Sequence, residues 1–211
     1  QLDSAHSTLF NTSYGYITLQ PGADLSGVSF IGLDLSGLDL TGANLSDANL
    51  RSVDFTGTNL TGANLNDTEL WYANLTDANL TGATFHSADL RNSNFTDANL
   101  TGADLSIADA YSANFSGANL TDVTFVGTNL ITANLTDADL TGVIIDPSSS
   151  PFATLFGSTN FTNATFDTNF DFSGYDLTAS DFAGTALVGA NLSGTNLTQA
   201  NLTDANLLDA T

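Results

Sequence analysis

Residues 93–102 read Ser93-Asn94-Phe95-Thr96-Asp97-Ala98-Asn99-Leu100-Thr101-Gly102. Two units of five stand end to end. Each runs from a small residue through Asn to a large apolar residue, then Thr, then Asp or Gly. The pattern extends outward in both directions. A large apolar residue holds every fifth position from Leu25 to Ile145, 25 in succession, with Ala110 the only small one. Two residues before it sits a small or β-branched residue, mostly Ala, as at Ala43, Ala48, Ala63, Ala73 and Ala78. The unit reads A-[ND]-L-[TS]-[GD].

A period of five matches neither regular structure, because helices bury residues at a spacing near 3.6 and strands at 2. It requires a chain that turns a corner in every unit, and Asn, Asp, Gly and Ser supply that turn chemistry. One Leu or Phe and one Ala per unit bury too little to be stable alone. The units must therefore stack into one continuous core. The residue after each large one shows how many units make a coil. Taken every twenty residues, one column is Thr41, Thr61, Thr81, Thr101, Thr121, Thr141; another is Ser36, Thr56, Thr76, Thr96, Ser116, Thr136; a third is Ile31, Arg51, Trp71, Arg91, Tyr111, Ile131. Columns of such different character imply a four-sided coil of twenty residues.

With these motifs in hand, the sequence resembles the pentapeptide repeat protein family, over residues 23–145 and again 170–209. The resemblance implies an all-β fold, a right-handed quadrilateral β-helix. It implies interaction scaffolds, some of which inhibit DNA gyrase by imitating DNA. Many others, abundant in cyanobacteria, have no assigned activity.

After Ile145 the register fails at Asp146-Pro147-Ser148-Ser149-Ser150-Pro151, which is loop chemistry. Large residues resume at Phe156, Phe161 and Phe166, one step out of phase, and shift again to Phe172, Leu177, Phe182 and onward to Leu207. Each break is whole units plus one residue, so a single solenoid is expected: residues 1–22 as an N-terminal cap and 23–211 as the β-helix, with a loop and register break near 146–171. About nine coils at roughly 4.8 Å each make a rod of about 43 Å. Phe10, Tyr14, Tyr16, Ile17 and Leu19 would furnish the cap. Past Leu207 and Leu208 nothing comparable follows, so the chain end folds over, the native chain continues, or two chains meet in an end-to-end homodimer through the C-terminal coil.

Composition narrows the function classes. Of 211 residues, 23 are acidic and only two, Arg51 and Arg91, are basic, for a net charge of −21. Direct nucleic-acid binding through phosphates needs cations that are absent. There is no Cys, hence no disulfide or thiolate chemistry. No apolar run approaches the ~20 residues of a membrane span. The first residue is Gln1, not Met, which with the lack of Cys favours an extracytoplasmic setting (periplasm, thylakoid lumen or secreted) over the cytoplasm. His6 and His86 lie in unrelated contexts, and the Asp residues single out no acid–base pair or metal cluster. No catalytic residue, cofactor or metal ligand is assigned, and the protein is expected not to be an enzyme.

The third column is the exception to the monotony. It holds both arginines with the only Trp between them. Coils about 5 Å apart would stack Arg51, Trp71 and Arg91, a guanidinium on each side of an indole. Tyr72 and Tyr111 flank them, Glu69, Asp89 and Asp109 would pair the arginines, and Ile31 and Ile131 close the ends. Trp, Tyr and Arg are the residues enriched where proteins bind proteins. The leading expectation is a scaffold that contacts an unidentified protein partner through Ile31, Arg51, Glu69, Trp71, Tyr72, Arg91, Tyr111 and Ile131. The alternatives are a DNA-mimicking regulator of gyrase or topoisomerase, and an extracellular structural repeat module.

Overall fold

The computed structural model describes residues 8–12, 15–145 and 156–211. It opens with a hairpin: β1 (Thr8–Thr12) pairs antiparallel with β2 (Gly15–Leu19), Phe10 facing Ile17 in register. Leu19, the last residue of β2, is buried in the core of the stack that follows. The rest of the expected cap, residues 1–7, 13 and 14, and the expected loop at 146–155 lie outside the described residues.

From Asp24 onward the chain is a stack of coils joined by parallel bridges between residues twenty apart, such as Asn44 to Asn64 and Asn49 to Glu69. Four bridge positions occur per coil. Two bonds make each bridge: Leu45 N–H donates to Asn64 C=O at 2.7 Å, and Asn64 N–H returns a bond to Ala43 C=O at 2.9 Å. A turn follows at once, closed for example by Ala63 N–H donating to Leu60 C=O at 3.0 Å. The all-β expectation therefore needs refinement. Outside β1 and β2 the described residues pair as isolated bridges, because turns leave only one fully paired residue per side.

The turn dictates the last slot of the unit. Gly62 lies at φ 64°, and where the slot is not Gly it is mostly Asp, Asn or Ser at similar angles, such as Asp67, Asn92 and Ser112. These residue types tolerate the left-handed region best.

Inside, the large column is sealed, with Leu40, Phe55, Leu80, Phe95, Leu100 and Phe115 at or near zero exposure. Phenyl rings one coil apart stack like the coils themselves: Phe95 on Phe115 and Phe161 on Phe182, both with centroids 4.8 Å apart. The small slot admits a hydroxyl only if it finds a carbonyl. Thr58 donates to Leu35 C=O at 2.9 Å, Thr128 to Leu105 C=O at 2.7 Å, and Thr185 to Phe161 C=O at 2.8 Å. These are buried hydroxyls whose desolvation the bond offsets.

Outside, the Asn slot forms a directional ladder. Asn94 Oδ1 accepts from its own Thr96 N–H and Oγ1 (3.2 and 2.6 Å). Its Nδ2 donates back to Asn74 Oδ1 and Thr76 Oγ1 (3.3 and 2.9 Å), and Asn114 repeats the arrangement one coil on. Asp can accept in this ladder but cannot donate backward. Accordingly Asp24, Asp34 and Asp39 stand in the first coil, where no earlier rung waits for a donor, and Asn44 and Asn59 donate to Asp24 and Asp39. Asp171 and Asp176 restart the ladder after the register break, with Asn196 donating to Asp176; Asp181, which follows Asn160, accepts from Asn201. Hydroxyls and turn N–H groups hold Asp24, Asp34, Asp171 and Asp176 below the usual carboxylate range.

The stack continues across the register break. Asn134 bridges Asn160, an offset of 26; Asn160 bridges Asp181, an offset of 21; Asp171 to Asn191 restores 20. The breaks thus insert six residues and then one. On the side of Ile144 they leave a cleft of about 400 Å³ lined by Val143, Ile144, Ile145, Phe170 and Asp171. Beside it the Asp167 carboxylate, instead of a backbone carbonyl, accepts the Gly142 N–H at 2.7 Å. In the final coil Leu207 and Leu208 are exposed.

Candidate interaction face

Three acids stack on consecutive coils, since Glu69 bridges both Asn49 and Asp89, and Asp89 bridges Asp109. On most other coils this slot carries Asn, which can hand a donor to the rung before it. Here the donors come from elsewhere. Arg51 reaches Glu69 at 3.3 Å, with both side chains 45% exposed. Arg91 grips Asp89 with two nitrogens (Nε to Oδ1 2.8 Å, Nη2 to Oδ2 2.5 Å) and lies 3.6 Å from Asp109. Asn129 Nδ2 donates to Asp109 Oδ1 at 2.9 Å. The Arg91 fork holds Asp89 below the usual carboxylate range, and Asp89 in turn holds the guanidinium above its ordinary value. The two arginines of the chain are thus both committed to neutralising this column.

The same grip lays Arg91 over the half-buried Trp71 ring, 4.9 Å from its centroid. The other stacked neighbour is Tyr72, at 5.4 Å and nearly parallel. This departs from the expected pair of flanking guanidiniums: the recorded cation–π partner is Arg91, while Arg51 turns to Glu69. The reason is geometric, because Arg91 has carboxylates on its own side and on the next coil that pin it across the indole. Trp71 Nε1 is buried without a hydrogen-bond partner among the described residues. Its burial is a cost to stability that the stacking offsets.

Tyr72 occupies the turn slot at φ 59°, where most units place Gly, Asp, Asn or Ser, and is 59% exposed. Ile107 does the same at φ 62° and 40% exposure, at the corner that leads into Asp109 and Tyr111. A β-branched residue in the left-handed region is a genuine outlier. Among the described residues seven large apolar or aromatic side chains are exposed. Leu207 and Leu208 belong to the final coil and Ile144 to the cleft; the other four, Ile31, Tyr72, Ile107 and Tyr111, lie on this face or its edge. Ile131 is half-buried. The structure therefore brings the column together as two contact sets, Arg51 with Glu69, and Trp71 with Tyr72 and Arg91. Ile31 and Tyr111 lie along the same column, away from the stack. Ile107 escaped the column reading because it sits one corner away. A scan of the turn slot for residues that resist positive φ finds both it and Tyr72.

No group of His, Cys, Asp or Glu among the described residues is placed to hold a metal ion, and no described helix is long and apolar enough to cross a membrane.

The pentapeptide repeats family matches the chain in eight copies, over residues 21–57, 58–97, 113–146 and 176–211. No curated protein sequence matches. Among solved structures, HetL from the cyanobacterium Nostoc sp. strain PCC 7120, a pentapeptide repeat protein involved in heterocyst differentiation regulation, is 28% identical. That match covers 91% of this chain and 87% of HetL, with a TM-score of 0.43. A pentapeptide repeat protein of the Arabidopsis thaliana thylakoid lumen is 36% identical over 47% of this chain and 69% of its own, with a TM-score of 0.46. QnrB1, a plasmid-mediated fluoroquinolone resistance protein, is 19% identical over 87% of this chain and 90% of its own, and its TM-score of 0.53 shows a shared fold. With family matches over more than half of its length and the five-residue unit visible in every coil, the chain belongs to the pentapeptide repeat family.

Proposed function

We propose that this protein is a non-enzymatic scaffold, a right-handed quadrilateral β-helix of about nine coils capped by residues 1–22, that binds a protein partner through the Arg–Trp–Tyr face. One observation carries the reading. Away from the final coil and the cleft, the exposed large apolar side chains gather on this face, and two of them, Tyr72 and Ile107, sit in strained backbone. Strained, exposed, bulky residues on an otherwise interchangeable repeat are the signature of selection for contact. Tyr72 stacks on Trp71, which Arg91 covers, and this preordered stack lowers the entropy lost on binding.

The acidic total gives less support to DNA mimicry. Asp side chains are distributed around the coil by the ladder, and the face with Arg51 and Arg91 nets only −1 from Glu69, Asp89 and Asp109.

The test is a pull-down with immobilised wild type and with R51A/W71A/R91A. Wild type captures a partner that the triple variant does not, while both melt cooperatively. Equal capture by both defeats the reading.

A further inference from the structure

Resting on that protein-binding reading, we infer that the partner of this face is a cationic protein segment lying along the rod, with Lys or Arg against Asp47 and Asp67 and an apolar side chain against Ile107 and Tyr111. The sign follows from what is left unpaired. Arg51 and Arg91, the only Lys or Arg residues in the chain, are consumed by Glu69, Asp89 and Asp109. The corner beside them carries, coil by coil, Asp47, Asp67, Ser87 and Ile107. Asp47 and Asp67 are exposed, and their carboxylates make no hydrogen bond or ion pair among the described residues. They stand one coil apart, at about 4.8 Å of rise, so each repels the other. An arriving guanidinium or ammonium relieves that repulsion and an arriving carboxylate or phosphate raises it. The net charge of −21 acts in the same direction at long range.

The apolar end is equally defined. Ile107 is held outward in a left-handed turn, and Tyr111 is 43% exposed on the adjoining side. From Asp47 to Ile107 is three coils, about 14 Å, a span that roughly four residues of extended chain cover. The occupant is therefore a short extended stretch with basic residues at one end and an aliphatic or aromatic residue about four positions away.

The chain supplies its own control. Asp77 and Asp97 occupy the same turn slot on another corner, also exposed, also one coil apart, and also without a side-chain bond or ion pair among the described residues. Thr76 and Thr96 adjoin them, and no aromatic does. Asn is tolerated in this slot, since Asn92 and Asn163 adopt φ 57° and 55° there, so Asp→Asn changes leave the fold intact.

The probe is a fluorescein-labelled synthetic peptide reading arginine, arginine, glycine, glycine, isoleucine, phenylalanine, titrated at low salt and followed by anisotropy and by Trp71 emission. Removing two surface charge contacts predicts that D47N/D67N weakens binding about tenfold. D77N/D97N, with the same change in net charge, should alter it less than about twofold. Equal weakening by both pairs overturns the proposal, because the peptide then reads total charge alone. If D47N/D67N binds like wild type while I107A/Y111A does not, the cationic assignment is overturned and the protein-binding face survives. If the peptide fails to bind wild type even at about 1 mM, or if no variant on this face changes its affinity, the proposal also falls.

Discussion

Two sides of the same coil make opposite use of one backbone. On the side built over Leu60, Leu80 and Leu100, the outer hydroxyls are answered within the stack. Thr81 donates to Asn79 Oδ1 at 2.7 Å, Asn99 Nδ2 donates to Thr81 at 3.1 Å, and Thr101 donates to Asn99 at 2.7 Å. The hydroxyls of Thr81, Thr101 and Thr121 face the ladder, and among the described residues no large apolar side chain is exposed on this side over Leu60, Leu80 and Leu100. On the side built over Leu50, Leu70 and Leu90, the amides give way to Glu69 and Asp89, the threonines to Arg51, Trp71 and Arg91, and a turn residue to Tyr72. The backbone bonds are unchanged: Ser52 N–H to Trp71 C=O is 2.9 Å and Gly62 N–H to Thr81 C=O is 2.9 Å. The lesson is that core and bridge bonds define the solenoid, and the outer slots are free to be spent on stability or on recognition.

The largest effect tests the part the two sides share. Leu80→Ala and Leu90→Ala remove equally buried side chains, and each should lower the unfolding free energy by about 2–5 kcal/mol in urea melts. A large difference between them would mean that the sides do not share one core. Next comes the ladder. Asn94→Ala strips donors and acceptors from Asn74, Thr76, Thr96 and Asn114, and should cost about 1–3 kcal/mol in the same assay. Arg91→Ala on the Arg–Trp side loses a half-exposed ion pair and one cation–π contact, and should cost no more than about 1 kcal/mol.

The turn slot sharpens the contrast within a single residue type. A Cβ on Gly62 meets nothing within 4 Å, so Gly62→Ala carries only the left-handed penalty of about 1 kcal/mol. A Cβ on Gly117 would collide with Asp97 Oδ1, so Gly117→Ala must also displace that carboxylate and should be the more destabilising of the two by thermal melting. The double variant G117A/D97A should recover the difference.

The smallest effect is on pH. Asp24, Asp34, Asp89, Asp171 and Asp176 have pKa values lowered by folding. Groups of this kind add stability above their unfolded pKa of about 3.9, and that stability is lost as pH falls through the folded values. Melting temperature should therefore change little between pH 7 and about 5 and decline below about 4. A rise in stability at pH 3 would contradict the ladder account.

Much of this architecture is legible in the sequence because each unit repeats the same demand. Leu or Phe at every fifth position fixes the core column, and the twenty-residue alternation of Thr41-type and Arg51-type columns fixes the number of sides. The ladder's polarity is also written there, in Asp24, Asp34 and Asp39 preceding Asn44 and Asn59, but it becomes readable only once Nδ2 is seen to point backward. That Arg51, Trp71 and Arg91 share one column is legible from residue type alone, since the Trp and the two arginines are singular. The column's interior arrangement is not: whether Arg51 stacks on Trp71 or pairs with Glu69 is decided by side-chain reach across a coil, which periodicity does not encode. The path at the register break was visible only as a phase shift, and the bridges from Asn134 to Asn160 and from Asn160 to Asp181 divide it into insertions of six and one.

The central claim is that one side of the rod recognises and the other stabilises. It is tested by measuring partner capture and urea stability together in R51A/W71A/R91A and in T81A/T101A/T121A. The account predicts that the first variant loses capture and keeps most of its stability, while the second keeps capture and loses stability through the broken hydroxyl–amide ladder. Capture that survives the first variant, or disappears equally in both, would contradict it.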